Sequence, residues 1–248
     1  MKMRAHGWCF RKQTALFLMV VLLDGILLGA AGGVFESCWS SHGGDAARYA
    51  DGTVVQTDTT REEAPKLVAL TFDDGPHKTC TPRLLDGLKE RNVKATFFLM
   101  GENIAGNEDL VRRIQEEGHL IGNHSYRHIQ LTHAGVDAVC EAIEKTEVMI
   151  EEITGKRPNY LRPPYGDWNE SLECRMDLTT VFWSVDSLDW KLKNTRQIVR
   201  RVQQKTGDGD IILMHDIFQT SVDAALQIVD QLQSQGYTFV TVDELLID

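Results

Sequence analysis

Two adjacent carboxylates, Asp73 and Asp74, follow the apolar run 67–70 in the segment LTFDDGP. Neighbouring residues at the end of a strand point to opposite sides, so one carboxylate can bind a metal ion while the other accepts a proton. Aspartate, glycine and proline are also turn formers, and taken alone these residues favour a simple turn. Residues further along the chain decide between the two interpretations.

A histidine pair, His124 and His128, lies in the segment HSYRH, where the spacing lets both imidazoles face one metal ion. Together with a carboxylate from Asp74, the pair gives two nitrogen ligands and one oxygen ligand. Three protein ligands leave positions free for water and substrate, which is typical of a catalytic metal site. Zinc is the first choice of metal for this set of ligands.

Three further charged residues suggest proton chemistry. Both His215 and Asp186 follow apolar runs. A carboxylate beside an imidazole raises the pKa of the imidazole and fixes the tautomer of the ring. We therefore predict that Asp186 supports His215 as a general acid. Arg162 is predicted to form an ion pair that keeps Asp73 ionised and oriented. Taken alone, a histidine at a strand end favours an ordinary core or surface residue, and Arg162 is also typical of a loop anchor.

The elements that position these residues alternate from residue 66 onwards. Strands are predicted at 66–72, 95–100, 119–122, 160–162, 180–185, 210–214 and 238–242, and helices at 82–91, 107–117, 135–154, 169–176, 195–206 and 221–235. Such alternation predicts an α/β fold with a parallel sheet. About seven units are too few for a complete eight-fold barrel and favour a distorted, shortened (β/α) barrel. A doubly wound open sheet is the alternative.

The candidate residues fall at one end of these strands. In both folds the chemistry belongs at the carboxyl ends of the strands, and ionisable groups follow most of the predicted strands there. The aromatic residues Tyr165, Trp183 and Trp190 also lie near the ends of predicted strands. They are candidates for lining a sugar site, although aromatic side chains in such positions more often serve packing.

The composition excludes one class of partner and the N-terminus indicates export. A net charge of -10 argues against nucleic acid, because a phosphate-binding surface shows a basic excess. A basic flank precedes the apolar stretch 15–34, which is interrupted only by Asp24. This pattern predicts a signal peptide or, with slight preference, a membrane anchor over 1–35, and a linker over 36–65. Either leader places the domain at 66–248 outside the cytoplasm, where four of the five cysteines could pair or stay free.

Five segments resemble, in order, the motifs of the polysaccharide deacetylases, also known as the NodB homology domain or carbohydrate esterase family four. They are Thr71–Gly75 (TFDDG), His124–His128 (HSYRH), Arg162–Tyr165 (RPPY), Asp186–Trp190 (DSLDW) and Leu213–His215 (LMH). Each key position is filled, whereas residues 167–178 are less similar to the family. The match runs from about residue 66 to the C-terminus.

The resemblance implies a metal-dependent enzyme, usually with zinc, on a distorted (β/α) barrel. It assigns the metal to Asp74, His124 and His128. The family removes N-acetyl groups from amino sugars or O-acetyl groups from some polysaccharides. The metal would polarise the acetyl carbonyl and lower the pKa of bound water.

The resemblance also implies roles for the remaining residues. Asp73 would be the base, oriented by Arg162, and His215, supported by Asp186, would protonate the departing amine. The backbone N–H of Tyr165 would stabilise the oxyanion, and Leu213 with Trp190 would shape the pocket for the acetyl methyl group.

The sequence therefore favours a deacetylase acting on an acetylated amino-sugar polysaccharide, with peptidoglycan N-acetylglucosamine as the preferred substrate. Chitin oligosaccharides and acetylated xylan are the competing substrates. A carbohydrate-binding protein without catalysis is a separate class, and the intact Asp73 and His215 argue against it because binding alone needs neither. A structural metal protein is a further alternative, and it would unfold when the metal is chelated.

Overall fold

The computed structural model describes residues 65–168 and 177–247. The strands are β1 (Lys66–Asp73), β2 (Thr96–Leu99), β3 (Leu120–Asn123), β4 (Tyr160–Leu161), β5 (Thr179–Thr180), β6 (Val185–Asp186), β7 (Asp210–His215) and β8 (Tyr237–Val240). The helices are α1 (Cys80–Glu90), α2 (Gly101–Ile104), α3 (Glu108–Glu116), α4 (Val136–Thr154), α5 (Asp189–Leu192), α6 (Thr195–Lys205), α7 (Gln219–Ser234) and α8 (Val242–Ile247).

Some predictions fall outside the described residues. These are the signal or anchor over 1–35, nearly all of the linker over 36–65, and the helix at 169–176. Among the helices of the described part, none has the length and apolar character that crossing a bilayer requires. Cys80 and Cys140 are free thiols, and the other three cysteines lie outside the described ranges.

The strands form one curled parallel sheet with the order β5-β4-β3-β2-β1-β7-β6, and β8 pairs with β1 off this path. β7 runs along Val68–Asp73 of β1, whereas β8 pairs with Lys66–Ala69 and β2 with Thr71–Asp73. Strand β7 occupies one edge of β1. The other edge is therefore shared by β8 and β2, which pair with different parts of β1. The predicted α/β fold with a distorted, shortened barrel is confirmed, and the sheet is not a doubly wound one.

Two details differ from the prediction. The run 180–185 is not one strand, because only its ends pair: β5 with β4 and β6 with β7. The segment 181–184 between them joins the two end strands of the sheet. The helices α2, α5 and α8 were not predicted, since four to six residues are too few to show a helical period.

Alternation along β1 separates the core from the interior of the barrel. Val68, Leu70 and Phe72 pack in the main hydrophobic core with buried residues of α1, α6 and α7. Thr71 and Asp73 are also buried, and both accept a hydrogen bond from one guanidinium group. Since successive side chains of a strand point to opposite faces, the polar positions of β1 face the barrel interior.

Candidate active site and metal centre

A cavity of about 430 Å³ opens at the carboxyl ends of the strands. Its lining residues are Asp73, Asp74, His124, His128, Pro163, Tyr165, Trp183, Asp186, Trp190, Leu213 and His215. Nine of the ten site residues predicted from the sequence are therefore brought together here. The tenth, Arg162, is fully buried and contacts Asp73.

The two adjacent carboxylates separate at the end of β1. Asp73 is the last residue of the strand and faces the interior, where only 3% of its surface is exposed. Asp74 has a φ of 71°, which is uncommon for a residue with a side chain, although aspartate tolerates it better than most. This turn in the backbone directs Asp74 toward the histidines, while Asp73 stays with Arg162.

Arg162 is the buried partner of Asp73 and ties several segments together. Its Nη1 donates to Asp73 Oδ1 at 2.9 Å and to Thr71 Oγ1 at 2.6 Å. Its Nε and Nη2 donate to the carbonyl oxygens of Val181 and Phe182, both at 3.3 Å. Burial lowers the pKa of the guanidinium and the charge of Asp73 opposes that shift. The predicted contact between Arg162 and Asp73 is present, and the same side chain also holds the segment that joins β5 to β6.

Asp74, His124 and His128 form a cluster able to hold a metal ion, with their ligand atoms within 4.8 Å of one another. Asp74 Oδ1 lies 3.5 Å from His124 Nε2 and 3.7 Å from His128 Nε2. This oxygen is buried and has no hydrogen-bond partner. A buried carboxylate oxygen without a partner is costly, and a cation bound here would satisfy it.

The surroundings of the two imidazoles also suit ligation. His124 Nδ1 lies 2.7 Å from the carbonyl oxygen of Arg162, so the ring donates there and leaves Nε2 free to bind a metal. Burial, followed by the charge of His124, lowers the pKa of His128. A lowered pKa favours the neutral imidazole, which is the form that ligates a metal.

His215 pairs with Asp189, and the predicted pairing with Asp186 is wrong. His215 Nδ1 lies 2.8 Å from Asp189 Oδ1, and the main-chain N–H of His215 donates to Asp189 Oδ2 at 2.8 Å. Asp186 belongs to β6, and its Oδ1 accepts from the N–H of Leu188 at 2.8 Å. Asp186 thus closes a turn, and that turn brings Asp189 opposite His215.

Both residues were visible in the DSLDW segment, because each carboxylate follows the same predicted strand. Periodicity could not choose between them, since the chain leaves β6 through Leu188, whose φ is 54°. Asp189 is fully buried at the first position of α5, whereas Asp186 lines the cavity. Asp189 is therefore the functional residue that the sequence did not single out.

The environment of His215 favours its protonated form. Burial alone lowers its pKa, but the hydrogen bond and charge of Asp189, with the charges of Asp73 and Asp74, outweigh burial and raise the pKa to about 9. The pKa of Asp189 is lowered, because its bonds to His215 outweigh the opposing effect of burial. The pair can thus act as a proton donor at neutral pH.

Aromatic side chains form the rim of the cavity. Tyr165 is 66% exposed and Trp190 is 49% exposed, although both line the cavity. Tyr165 has a φ of 63° within a short 3₁₀ turn, and its ring packs edge-on to His128 at 4.4 Å between centroids. Strained backbone positions of this kind occur often at functional sites.

Comparison with known proteins agrees with this geometry. The family model described as polysaccharide deacetylase matches residues 60–179. PgdA of Listeria monocytogenes, named a peptidoglycan-N-acetylglucosamine deacetylase, is 42% identical over 198 residues, which cover 80% of this chain and 42% of that protein. A bifunctional xylanase/deacetylase of Pseudobutyrivibrio xylanivorans is 40% identical over 190 residues, which cover 75% of this chain and 31% of that protein.

The solved structure of the peptidoglycan deacetylase PdaC from Bacillus subtilis superposes with a TM-score of 0.72. It is 44% identical and the match covers 73% of this chain and 90% of that structure. The same relative is named a peptidoglycan-N-acetylmuramic acid deacetylase, and this chain spans 38% of its full length. With the five motifs, the barrel and these relatives in agreement, the chain belongs to the polysaccharide deacetylase family of hydrolases, the NodB homology or carbohydrate esterase family four domain.

Proposed function

We propose that this chain is a metal-dependent deacetylase that hydrolyses N-acetyl groups of peptidoglycan and releases acetate. The observation that carries the proposal is the presence, in one cavity, of a metal-ligand cluster, a carboxylate paired with a buried arginine, and an imidazole paired with a buried carboxylate. The names of PgdA and PdaC support peptidoglycan as the substrate.

Asp74, His124 and His128 would hold the metal, and zinc is our choice because the ligands are two imidazoles and one carboxylate. When bound, such an ion polarises a carbonyl group and makes water a stronger acid. The protein supplies three features that suit metal binding. The Oδ1 of Asp74 has no hydrogen-bond partner, the Nε2 of His124 is free because its Nδ1 bonds to a carbonyl oxygen, and the pKa of His128 is lowered.

Asp73 and His215 divide the proton transfers between them. Asp73 accepts the proton of the attacking water, and its ion pair with Arg162 keeps the carboxylate oriented. His215 donates a proton to the departing amine, and Asp189 holds its ring in the required tautomer. Two titratable groups with such different environments are a common basis for assigning the base and the acid.

The rim would bind the sugar. We assign the oxyanion to the backbone N–H of Tyr165 and the acetyl methyl group to a pocket formed by Leu213 and Trp190, all of which line the cavity. The exposed rings of Tyr165 and Trp190 offer apolar faces to the sugar. Asp186 has a structural part in this scheme, because its carboxylate closes the turn before Asp189.

Two aspects of the proposal, the sugar and the location, go beyond the family. N-acetylglucosamine is our preferred sugar, although one relative is named for N-acetylmuramic acid and another for xylan. Chitin oligosaccharides and acetylated xylan are the alternative substrates. The basic and apolar N-terminal segment supports an extracytoplasmic location, with the chain membrane-anchored or secreted.

Acetate release from peptidoglycan, chitin oligosaccharides and acetylated xylan, measured with and without a chelator, tests the proposal. We expect release from peptidoglycan, loss of that release with the chelator, and loss in Asp74→Asn. Acetate from xylan alone would assign the chain to the esterases. Tight glycan binding with no acetate from any polymer, and the same affinity in Asp73→Asn, would identify a carbohydrate-binding protein.

A further inference from the structure

Hydrogen bonds from the four-residue helix α2, and from the residue before it, hold the backbone around Asp74. The Nδ2 group of Asn103, in α2, donates to the main-chain carbonyl of Asp74 at 2.7 Å. The N–H of Met100, which precedes α2, donates to the carbonyl of Gly75 at 2.9 Å. Two successive carbonyl groups are thus fixed at the position where the chain takes its left-handed turn.

The same helix holds the segment that carries the histidines. The N–H of Gly101 donates to the carbonyl of Ser125 at 3.1 Å, and the N–H of Glu102 donates to the carbonyl of Tyr126 at 2.9 Å. Ser125 has a φ of 62°, so this segment too has an uncommon conformation beside a ligand. The two residues that accept these bonds lie between His124 and His128 in the sequence.

The close approach of the two segments depends on glycine at position 101. A Cβ atom there would lie 2.5 Å from Tyr126 Cδ2 and 2.5 Å from Thr146 Oγ1. Real Cβ contacts are not this short, so a larger residue would push the histidine segment away from α2. The Asn103 backbone is itself tied down, because Asn107 Nδ2 donates to its carbonyl at 2.8 Å.

From these contacts we infer that α2 is a bracket that sets the distance between the carboxylate ligand and the imidazole ligands, with Asn103 as its positioning residue. Asn103 touches neither a ligand side chain nor the reacting atoms in this scheme. It acts through the main chain of Asp74, whose Oδ1 lies 3.5 Å from His124 Nε2 and 3.7 Å from His128 Nε2. The inference rests on the metal site of the proposed function.

The test measures metal affinity directly. Binding of Zn²⁺ and Co²⁺ to the metal-free chain is followed by competition with a chelator, and the visible absorption of Co²⁺ reports the ligand geometry. Asn103→Leu removes the donor at similar size, and Asn103→Asp places an acceptor against the Asp74 carbonyl. Because loss of a group that orients a ligand typically weakens metal binding 10- to 100-fold, we expect a decrease of about that size in both variants.

Asn194→Ala is the matched control. The Asn194 side chain accepts from the N–H of Gln197 at 3.1 Å and caps α6, so this variant also loses one side-chain bond to the backbone. Its metal affinity and Co²⁺ spectrum should equal those of the wild type. Far-UV circular dichroism and Tm show whether each variant is folded. Where Asn103→Leu does not fold, the smaller change Asn103→Ser replaces it.

The outcomes separate the bracket from the proposed function. Unchanged affinity in a folded Asn103 variant, or an equal loss in Asn194→Ala, would overturn the role of α2. A wild-type chain that binds neither ion would overturn the metal site and the bracket with it. A wild-type chain that binds metal but releases no acetate would overturn the proposed activity, while the expected loss of affinity at Asn103 would still support the bracket.

Discussion

Asp189 binds His215 through both of its oxygen atoms, one at the ring Nδ1 and one at the main-chain N–H, each at 2.8 Å. This double contact fixes the position of the imidazole as well as its tautomer. It also explains why a nearly buried imidazole has a pKa raised to about 9: the negative charge and hydrogen bond of Asp189 overcome the cost of burial.

Asp189→Asn should lower the rate of acetate release by about 10²–10⁴-fold, the usual contribution of general acid–base catalysis. His215 must be protonated to donate, so the wild-type rate should fall as pH rises through about 9. Removing the Asp189 charge lowers the pKa of His215, and the alkaline limb of the pH–rate profile should move to lower pH. Asp186→Asn is the control, and its alkaline limb should stay in place. A shift in Asp186→Asn alone would restore the pairing predicted from the sequence.

Arg162→Met should destabilise the protein by about 3–5 kcal/mol, because it leaves the carboxylate of Asp73 buried without its partner. Urea unfolding measures the loss. The double variant Arg162→Met with Asp73→Asn removes both charges and should recover part of it. If the single and double variants are equally unstable, the loss comes from packing and the bonds to Val181 and Phe182.

His119 provides a test of stability against pH away from the cavity. Its ring is buried, accepts a hydrogen bond from the N–H of Ala95, and has a pKa lowered to about 4, chiefly by burial. The unfolded chain protonates near 6.5, so the stability from this group is present above pH 6.5 and is lost as pH falls toward 4. The difference corresponds to about 3 kcal/mol.

The variant His119→Gln keeps an acceptor for Ala95 but does not titrate in this range. Its free energy of unfolding should depend less steeply on pH between 6.5 and 4 than that of the wild type. Urea unfolding at several pH values measures both slopes. Identical slopes would show that His119 is not kept neutral by the fold.

Removal of the metal should abolish acetate release and leave the fold largely intact. The reason is that Asp74, His124 and His128 are placed by the barrel and its loops, and the main hydrophobic core lies elsewhere. Far-UV circular dichroism and acetate release, measured before and after chelation and again after Zn²⁺ is restored, provide the check. Unfolding on chelation would instead identify a structural metal.

The sequence predicted the parts of this molecule that depend on periodicity and order. Alternating strands and helices predicted the barrel, and nine of the ten residues predicted for the site line the cavity. The features that the sequence did not predict depend on the conformation of one residue or of a very short segment. The left-handed residue Leu188 decides which aspartate meets His215, and no period reveals it. The helix α2 is too short to leave a pattern, although it contacts both ligand segments.

Arg162 has one further consequence, for how the activity could be lost over time. Its guanidinium orients Asp73 and also holds Val181 and Phe182, the segment that spans the gap between the two end strands. Replacing it would damage the architecture as well as the chemistry. A homologue that loses activity during evolution should therefore substitute His215 or Asp74 first. Arg162 should be retained in such an inactive protein, because the fold still depends on it.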